Sequence, residues 1–192
     1  MKDYRQANRG RPFEELLKLV HANYQRYGAA VVHKIPTEFL PIRDAAGKIV
    51  SCKVEDKSCV DYLGRYYNIP VAVEAKHTMA RRIKFSEVQD HQAAFMDDFC
   101  DNPGAVGLVL VSFGLRRFYA VPWQFWRAAR TGWQTGTQEP VTAYGQTWTP
   151  PGKASASPEE LHPEWEVRQG GAFVLPYLHT IEILSGRSRR HG

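Results

Sequence analysis

The chain has 192 residues, of which 43% are hydrophobic and 23% are charged, and this composition excludes a disordered chain. Its formal net charge of +5 favours a polyanionic partner. Cys52, Cys59 and Cys100 form no C-x-x-C motif, which predicts reduced thiols in a cytoplasmic protein rather than a zinc ribbon or a disulfide framework. The start of the chain has no apolar signal segment, and the longest aliphatic run, VGLVLV, is too short to cross a bilayer. We therefore expect neither export nor a membrane.

The first predicted elements, in chain order, are a helix over residues 12–28 and a short strand over 29–34. Pro12 suits a first helical turn, apolar side chains recur along one stripe of the helix, and Gly28 ends it. The polar segment over residues 36–57 then interrupts the pattern. We interpret this segment as an insertion that projects from the domain as an arm.

The middle of the chain predicts a pair of strands and a second helix. The strands, residues 58–64 and 68–76, flank a turn and are followed by a basic loop. The helix, residues 86–100, is predicted to begin with a capping box formed by Ser86 and Gln89. The elements after it are, in order, strands at 105–112 and 116–121, a helix from Pro122, a loop-rich stretch over 131–157, a helix over 176–184 and a basic tail over 187–192.

This alternation of helices and strands predicts a single α/β domain that spans residues 1–192. The length is sufficient to bury one sizeable core, and no internal repeat divides the chain. We expect a mixed central sheet flanked by helices, with the arm projecting between the first two strands.

Two charged residues, Glu74 and Lys76, stand inside an otherwise apolar strand. Because side chains alternate along a strand, both point to the same face. If residues 58–64 and 68–76 form neighbouring strands, Asp61 lies near Glu74. Two close carboxylates repel each other unless a cation sits between them, and hard oxygen ligands of this kind suit Mg²⁺. A metal, two carboxylates and a lysine are suited to the hydrolysis of a phosphodiester.

A surface ion pair is the competing interpretation of Glu74 and Lys76. Glu and Lys two positions apart can pair on the exposed face of a sheet, where such a pair contributes little free energy. The E-x-K pattern alone favours this interpretation because the pattern is common. Asp61, placed at a suitable separation, brings the two interpretations to equal weight.

Four blocks of the sequence carry a family resemblance: NRGRPFEELL (8–17), AAVVHKIPT (29–37), DYLGRYYNIPVAVEAKHT (61–78) and DHQAAFM (90–96). In order and spacing they resemble the conserved blocks of RecU-type Holliday junction resolvases. That family shows N-R-G, a helix with an early Glu, H-K-x-P-T, D-Y-x-G, E-A-K-x-T and H-Q-x-x-x-M. The D…E-x-K core is shared with Hjc-type resolvases and the wider restriction-endonuclease-like nucleases, so the resemblance implies their fold.

The resemblance implies a role for the residues of the D…E-x-K core. Asp61 and Glu74 would bind the metal together with the backbone carbonyl of Ala75. Lys76 would be the catalytic lysine. The metal would be Mg²⁺, with Mn²⁺ as the other candidate.

Two helices are implied to add catalytic residues to this core. Glu14, the early acid of the first helix, would complete the acidic cluster as a further catalytic and metal-binding residue. Glu15 is the alternative for this position, and an acid in a first turn also simply suits the helix dipole. Gln92 would reach the site from the second helix, and a solvated helix residue is its competing interpretation.

Basic residues around this site predict contacts with the DNA backbone. Arg9 and Arg11 precede the first helix, whose N-terminus also favours phosphate. Taken singly, each residue is a solvated surface charge, and only its position beside a phosphodiester-cutting centre suggests binding. The other members of this basic rim are Lys34, His77, Thr78, Arg81, Arg82 and Lys84.

The residues and the resemblance together predict a Mg²⁺-dependent endonuclease that resolves four-way DNA junctions in recombination and repair. A homodimer is expected, because a four-way junction has two-fold symmetry and two opposed nicks need two sites. By resemblance, the arm would enter the centre of the junction, and a recombinase is a further candidate partner. Two alternatives remain open: a nuclease of the same fold that acts on other DNA structures, and a non-catalytic DNA-binding or recombinase-modulating protein.

Overall fold

The computed structural model describes residues 10–37, 39–54 and 58–184. Its α-helices are α1 (Arg11–Arg26), α2 (Asp90–Cys100), α3 (Trp123–Thr135) and α4 (Thr180–Leu184). Its strands are β1 (Ala30–Lys34), β2 (Phe39–Arg43), β3 (Ile49–Val54), β4 (Tyr62–Tyr66), β5 (Ile69–Thr78), β6 (Ile83–Lys84), β7 (Val106–Phe113), β8 (Arg117–Pro122), β9 (Val141–Ala143), β10 (Gln146–Trp148), β11 (Ser155–Ala156) and β12 (Glu166–Val167).

A central sheet holds six strands in the order β1-β4-β5-β7-β8-β12. β5 and β7 run parallel, whereas the other neighbouring strands pair antiparallel, so the sheet is mixed. Buried side chains of α1 and α4 pack on one face of the sheet, and those of α2 and α3 pack on the other. This confirms the predicted α/β architecture, a mixed sheet flanked by helices.

The predicted arm contains an antiparallel hairpin, in which β2 pairs with β3. It lies in the chain between β1 and β4, which are the first two strands of the central sheet. Residues 41–51 are exposed. These residues of the hairpin are therefore accessible to a partner.

α1 forms where the apolar stripe predicts it. Phe13, Leu17, Val20 and Tyr24 recur at helical spacing, and all four are buried against the sheet. The chain leaves the helix through Gly28, whose φ of +66° lies in the left-handed region that glycine adopts without strain.

The start of the second helix differs from its prediction. Ser86 lies in a 3₁₀ turn, Phe85–Glu87, and α2 begins only at Asp90. The capping contact is made instead by Gln89, whose backbone N donates to Gln92 Oε1 at 3.0 Å. Burial explains the shift: Phe85 is buried, and its carbonyl accepts a hydrogen bond from the indole of a tryptophan in α3, so this segment packs as a turn.

The region predicted as loop over residues 131–157 contains regular structure. α3 continues to Thr135, β9 and β10 form a hairpin, and β11 pairs with β6. Buried Trp148 and Ala156 anchor these short strands. Each strand contains too few apolar residues to show a strand periodicity in the sequence. The last predicted helix is shorter than expected, because Tyr177–His179 forms a 3₁₀ turn before α4.

Arg9 and the predicted basic tail, 187–192, lie outside the described residues. In the part of the chain that the structure describes, no helix is both long enough and apolar enough to span a bilayer.

A buried histidine, His21, links α1 to the C-terminal segment. Its Nε2 lies 2.8 Å from the Tyr177 hydroxyl, and its ring packs edge-on against Tyr62 at 4.8 Å between centroids. Burial, with a smaller contribution from the charge of His33, lowers the pKa of His21 to about 4. The folded protein therefore holds this ring neutral.

We expect His21 to make the protein less stable in mild acid. The folded pKa lies below the ordinary value of 6.5, so the stability that depends on neutral His21 is present above pH 6.5 and is lost progressively as the pH falls from 6.5 through 4. At pH 5 the loss is roughly 2 kcal/mol relative to pH 7.5. Urea unfolding at both pH values measures it, with His21→Gln as the control that removes the titration. An equal pH dependence in both proteins would contradict this assignment.

Candidate active site

The candidate site lies where β4 stops pairing with β5. The two strands pair from Tyr66–Ile69 to Tyr62–Val73, after which β5 continues to Thr78 along β7 alone. Asp61 immediately precedes β4, and its carbonyl accepts a hydrogen bond from the Ile35 backbone N at 2.8 Å. The sheet thus opens into a fork, and Asp61 and the last residues of β5 lie where the two strands part.

Asp61 and Glu74 are held together by reciprocal backbone contacts. The backbone N of Asp61 donates to Glu74 Oε2 at 3.2 Å, and the backbone N of Ala75 donates to Asp61 Oδ2 at 2.9 Å. The backbone of Asp61 therefore orients the Glu74 carboxylate, and the backbone of β5 orients the Asp61 carboxylate. The predicted proximity of the two acids is what the structure shows.

Glu74 is buried and fully engaged. It is 0% exposed, and its Oε1 accepts from Lys76 Nζ at 2.6 Å and from Gln92 Nε2 at 2.6 Å. A buried carboxylate is not part of a solvated surface pair, so the competing interpretation of Glu74 and Lys76 does not hold. Lys76 is itself largely buried, with 16% of its side chain exposed.

The electrostatics of the pair favour a bound cation. Burial first, and then the negative charge of Asp61, raise the pKa of Glu74 above its ordinary range, while Lys76 opposes the shift. The ammonium of Lys76 therefore offsets only part of the cost of burying Glu74 beside a second carboxylate. A divalent cation between them would relieve this repulsion.

The donor set fits a hard divalent metal. Mg²⁺ is commonly held by one or two carboxylates and retains several of its waters, which matches Asp61 and Glu74 at an open fork. No group of three or more His, Cys, Asp or Glu side chains that could hold a metal is present among residues 10–37, 39–54 and 58–184. The metal would accordingly rest on two side chains, with backbone oxygen and water completing its shell.

Glu14 is not brought into this pair in the structure. Its Oε2 forms an ion pair with Lys34 Nζ at 2.6 Å, and both side chains are about half exposed. The alternative, Glu15, pairs along α1 with Lys18 at 2.8 Å. Each acid of the first turn therefore has a basic partner.

The two acids of α1 nevertheless act on the same neighbourhood as the carboxylate pair. Tyr62 follows Asp61 in the chain and is buried beside α1. Burial, and then the charges of Asp61, Glu14, Glu15 and Glu74, raise the pKa of the Tyr62 hydroxyl. The charges of Glu14 and Glu15 thus act on Tyr62, the residue next to Asp61, while their side chains pair with Lys34 and Lys18.

Gln92 reaches the site from α2, as the resemblance implies. It is buried, its Nε2 donates to Glu74 Oε1, and its Oε1 lies 3.4 Å from Lys76 Nζ. The same Oε1 accepts from the backbone N of Gln89, so capping α2 also orients the amide. A solvated helix residue, the competing interpretation, does not describe this side chain.

The members of the predicted basic rim differ in their exposure and in their local partners. Arg11, Arg81 and Lys84 are exposed. Lys34 is engaged by Glu14, and Arg82 is engaged by Ser155 and Glu160. His77 lies on the face of the sheet that α1 covers.

His77 and Thr78 have local partners at the end of β5. His77 Nδ1 lies 3.0 Å from Ser112 Oγ, and its ring centroid lies 6.1 Å from that of Phe13. Thr78 Oγ1 accepts from the backbone N of Ala80 at 3.0 Å. Ser112 was not predicted from the sequence, and its only signal is a hydroxyl at the end of an apolar run.

An open cavity of about 580 Å³ lies beside the end of β5, and Arg117 in it was also missed by sequence reasoning. Arg81, Arg82 and Arg117 line this cavity together with Glu159. Arg117 pairs with Glu159 at 2.6 Å and also with a second acid on β12. The sequence around Arg117, RRFYAV, does not indicate that Arg117 lies in the same cavity as Arg81 and Arg82.

Comparisons with known proteins agree with the resemblance. Residues 8–147 match the family model for RecU, described as recombination protein U. The chain is 30% identical over 195 residues to the "Holliday junction resolvase RecU" of Streptococcus pneumoniae, which covers 95% of this chain and 88% of the relative. It is 25% identical over 194 residues to the protein of the same name from Lactobacillus delbrueckii, covering 97% and 85%.

A solved structure is also similar to part of the chain. It is the Holliday junction resolvase Hjc of Archaeoglobus fulgidus, with a TM-score of 0.40 and 11% identity. The similarity covers 58% of this chain and 78% of that protein.

Proposed function

Because the chain belongs to the RecU family, we propose that it is an endonuclease that resolves four-way DNA junctions by metal-dependent hydrolysis of phosphodiesters. The observation that carries this proposal is the pair of buried Glu74 and part-buried Asp61, braced by reciprocal backbone contacts, with Lys76 at the fork of the sheet. Paired carboxylates and a lysine of this kind have no need to be buried together in a protein that only binds DNA. The relatives named Holliday junction resolvase support the choice of substrate.

The residues that would hold a divalent metal are Asp61, Glu74 and the backbone carbonyl of Ala75, with Glu14 as a further candidate from α1. A metal bound there, Mg²⁺ or Mn²⁺, supplies positive charge to a phosphate and lowers the pKa of water. The chain itself supplies orientation. Gln92 fixes one oxygen of Glu74, and the backbone of β5 fixes Asp61.

Lys76 would be the catalytic cation. An ammonium carries three N–H groups, and among the described residues its Nζ contacts two side chains, Glu74 and Gln92, which leaves a donor for the substrate. It would hold a water or a phosphate oxygen and stabilise the negative charge that develops on phosphate. Exposed Arg11, Arg81 and Lys84 would contact neighbouring phosphates.

The homodimer follows from the substrate. A four-way junction has two-fold symmetry, and the described residues of one chain carry one such cluster, so two opposed nicks would require two chains. A recombinase is the second proposed partner, in keeping with the recombination function of the family. The exposed hairpin of β2 and β3 is the surface that would reach the junction.

We expect the protein to cut a synthetic four-way junction and to leave a linear duplex of equal length intact. The measurement uses end-labelled strands, with Mg²⁺ and with EDTA in its place, and maps nicks on all four strands. Two symmetric nicks on opposed strands, abolished by EDTA, are the expected result. Equal cutting of the duplex would identify a nuclease without junction selectivity, and junction binding without any cutting would identify a non-catalytic binding protein.

A further inference from the structure

An open cavity of about 380 Å³ lies apart from the carboxylate pair, at the C-terminal half of α3. Arg130, Trp133 and Gln134 line it from one face of that helix, because residues three and four positions apart share a face. Lys84 and Ser86 line it from the segment that follows β5. The cavity thus joins an aromatic side chain to two cations.

Trp133 is exposed where the other tryptophans are buried. It is 48% exposed, whereas Trp123, Trp126, Trp148 and Trp165 are at most 8% exposed. An indole half open to solvent beside charged groups loses hydrophobic free energy that burial would have supplied. About half of the Trp133 side chain is therefore accessible to a planar ligand.

Arg130 places its guanidinium in the same cavity wall. Only 18% of its side chain is exposed, and Nε is buried with no hydrogen-bond partner among the described residues. The guanidinium contacts Asp90, whose own side chain is 95% exposed and so is easily displaced. With exposed Lys84, this wall carries two cations, and no carboxylate lines the cavity itself.

The cavity is connected to the carboxylate pair by one helix. Asp90, at the start of α2, contacts Arg130, and Gln92, two residues further along, contacts Glu74. Lys84 lies on β6, which a short segment connects to β5, the strand that carries Lys76. A DNA strand that crosses the fork is therefore within a short reach of the cavity.

We propose that this cavity binds an unpaired nucleotide of the DNA substrate, with the base stacked on Trp133 and its phosphate held by Lys84 and Arg130. The inference rests on the proposed nuclease function and adds to it the feature of the substrate that is recognised. An aromatic face with flanking cations suits a base and its phosphate, because every base offers a face to stack and every linkage a negative charge. A base inside a duplex has both faces covered by its stacked neighbours, so the cavity selects nucleotides that have left the stack.

The test compares the binding of two DNA probes with Ca²⁺ in place of Mg²⁺ to prevent cutting. One probe is a fully paired duplex, and the other is the same duplex with a single unpaired thymidine. Wild-type protein is expected to bind the second probe more tightly and to show quenched tryptophan fluorescence. Trp133→Ala is expected to weaken binding to the second probe by about 5- to 150-fold and to abolish the quenching.

Two further variants show whether stacking is responsible. Trp133→Phe keeps an aromatic face and is expected to retain part of the preference for the unpaired nucleotide. Leu19→Ala removes a side chain that is 51% exposed on α1 and is expected to leave the preference unchanged. A preference that survives intact in Trp133→Ala overturns the inference, as does a loss that arises because Trp133→Ala converts a dimer into a monomer in sedimentation at matched concentrations.

This result is separable from the nuclease proposal. If wild-type protein cuts the four-way junction but Trp133→Ala keeps its full preference for unpaired thymidine, the cavity proposal fails and the nuclease proposal stands. If wild-type protein neither cuts the junction nor binds it, the nuclease proposal fails and the cavity proposal fails with it.

Discussion

Asp61→Asn is expected to lose junction cleavage by roughly 10³-fold or more, since it removes one of the two carboxylates that would hold the metal. The substitution keeps the size of the side chain and an oxygen that can accept from the backbone N of Ala75. The fold should therefore be retained, and the affinity for the junction in Ca²⁺ should stay within about threefold, because phosphate contacts dominate affinity. Single-turnover cleavage and binding of the same junction measure both effects.

A matched variant controls for the loss of a negative charge. Asp98 is exposed on α2, away from the carboxylate pair, and Asp98→Asn makes the same chemical change there. Cleavage by Asp98→Asn is expected to equal that of the wild type. Full cleavage by Asp61→Asn would show that the reaction does not depend on this carboxylate.

Gly64→Ala is expected to destabilise the fold by about 3 kcal/mol or more. Gly64 lies on β4 opposite Val32, and a Cβ built on it would stand 2.0 Å from the backbone oxygen of Val31. A backbone atom in a paired strand does not move aside as a flexible side chain does, so β1 and β4 must separate. Unfolding in urea measures the loss.

Gly10→Ala is the control for this substitution. A Cβ at Gly10 meets nothing within 4 Å, and its φ of −83° is allowed for any residue. Its free energy of unfolding is expected to change by less than about 1 kcal/mol. Equal stability of Gly64→Ala and Gly10→Ala would show that β1 and β4 are not packed as closely as the structure places them.

The carboxylate pair was predictable from the sequence because strands have a period of two. The rule puts Glu74 and Lys76 on one face, and two adjacent strands put Asp61 beside Glu74. The burial of Glu74 was not predictable in this way. It depends on α2 covering the face and on Gln92 donating to the carboxylate, which are tertiary contacts between residues 18 apart.

Predictions from local sequence patterns were wrong where tertiary packing decides which residues form a helix. Ser86 has the spacing of a helix cap, yet buried Phe85 and Val88 hold that segment in a turn and delay α2 to Asp90. Trp133 lies in a stretch rich in Gly and Thr that suggested a loop, whereas α3 continues through it. In both places a few buried contacts outweigh the local pattern.

The ion-pair partners of the acidic residues in α1 could not be predicted from the sequence. Glu14 and Glu15 are adjacent acids in one helical turn, and the sequence offers no means to choose between them. The choice depends on which basic side chain lies near each acid, and the structure pairs Glu14 with Lys34 and Glu15 with Lys18. Both ion pairs are exposed and so contribute little to holding either acid in place.

The most direct test of the metal site is a titration with Mn²⁺, followed by electron paramagnetic resonance in the presence of a junction with uncleavable linkages. Wild-type protein is expected to bind Mn²⁺ at the Asp61–Glu74 pair. Asp61→Asn should lower the affinity at least about tenfold, because even residues that only support a metal ligand affect affinity by that much. Equal Mn²⁺ affinity in wild-type protein and Asp61→Asn would contradict the proposal that this pair holds the metal.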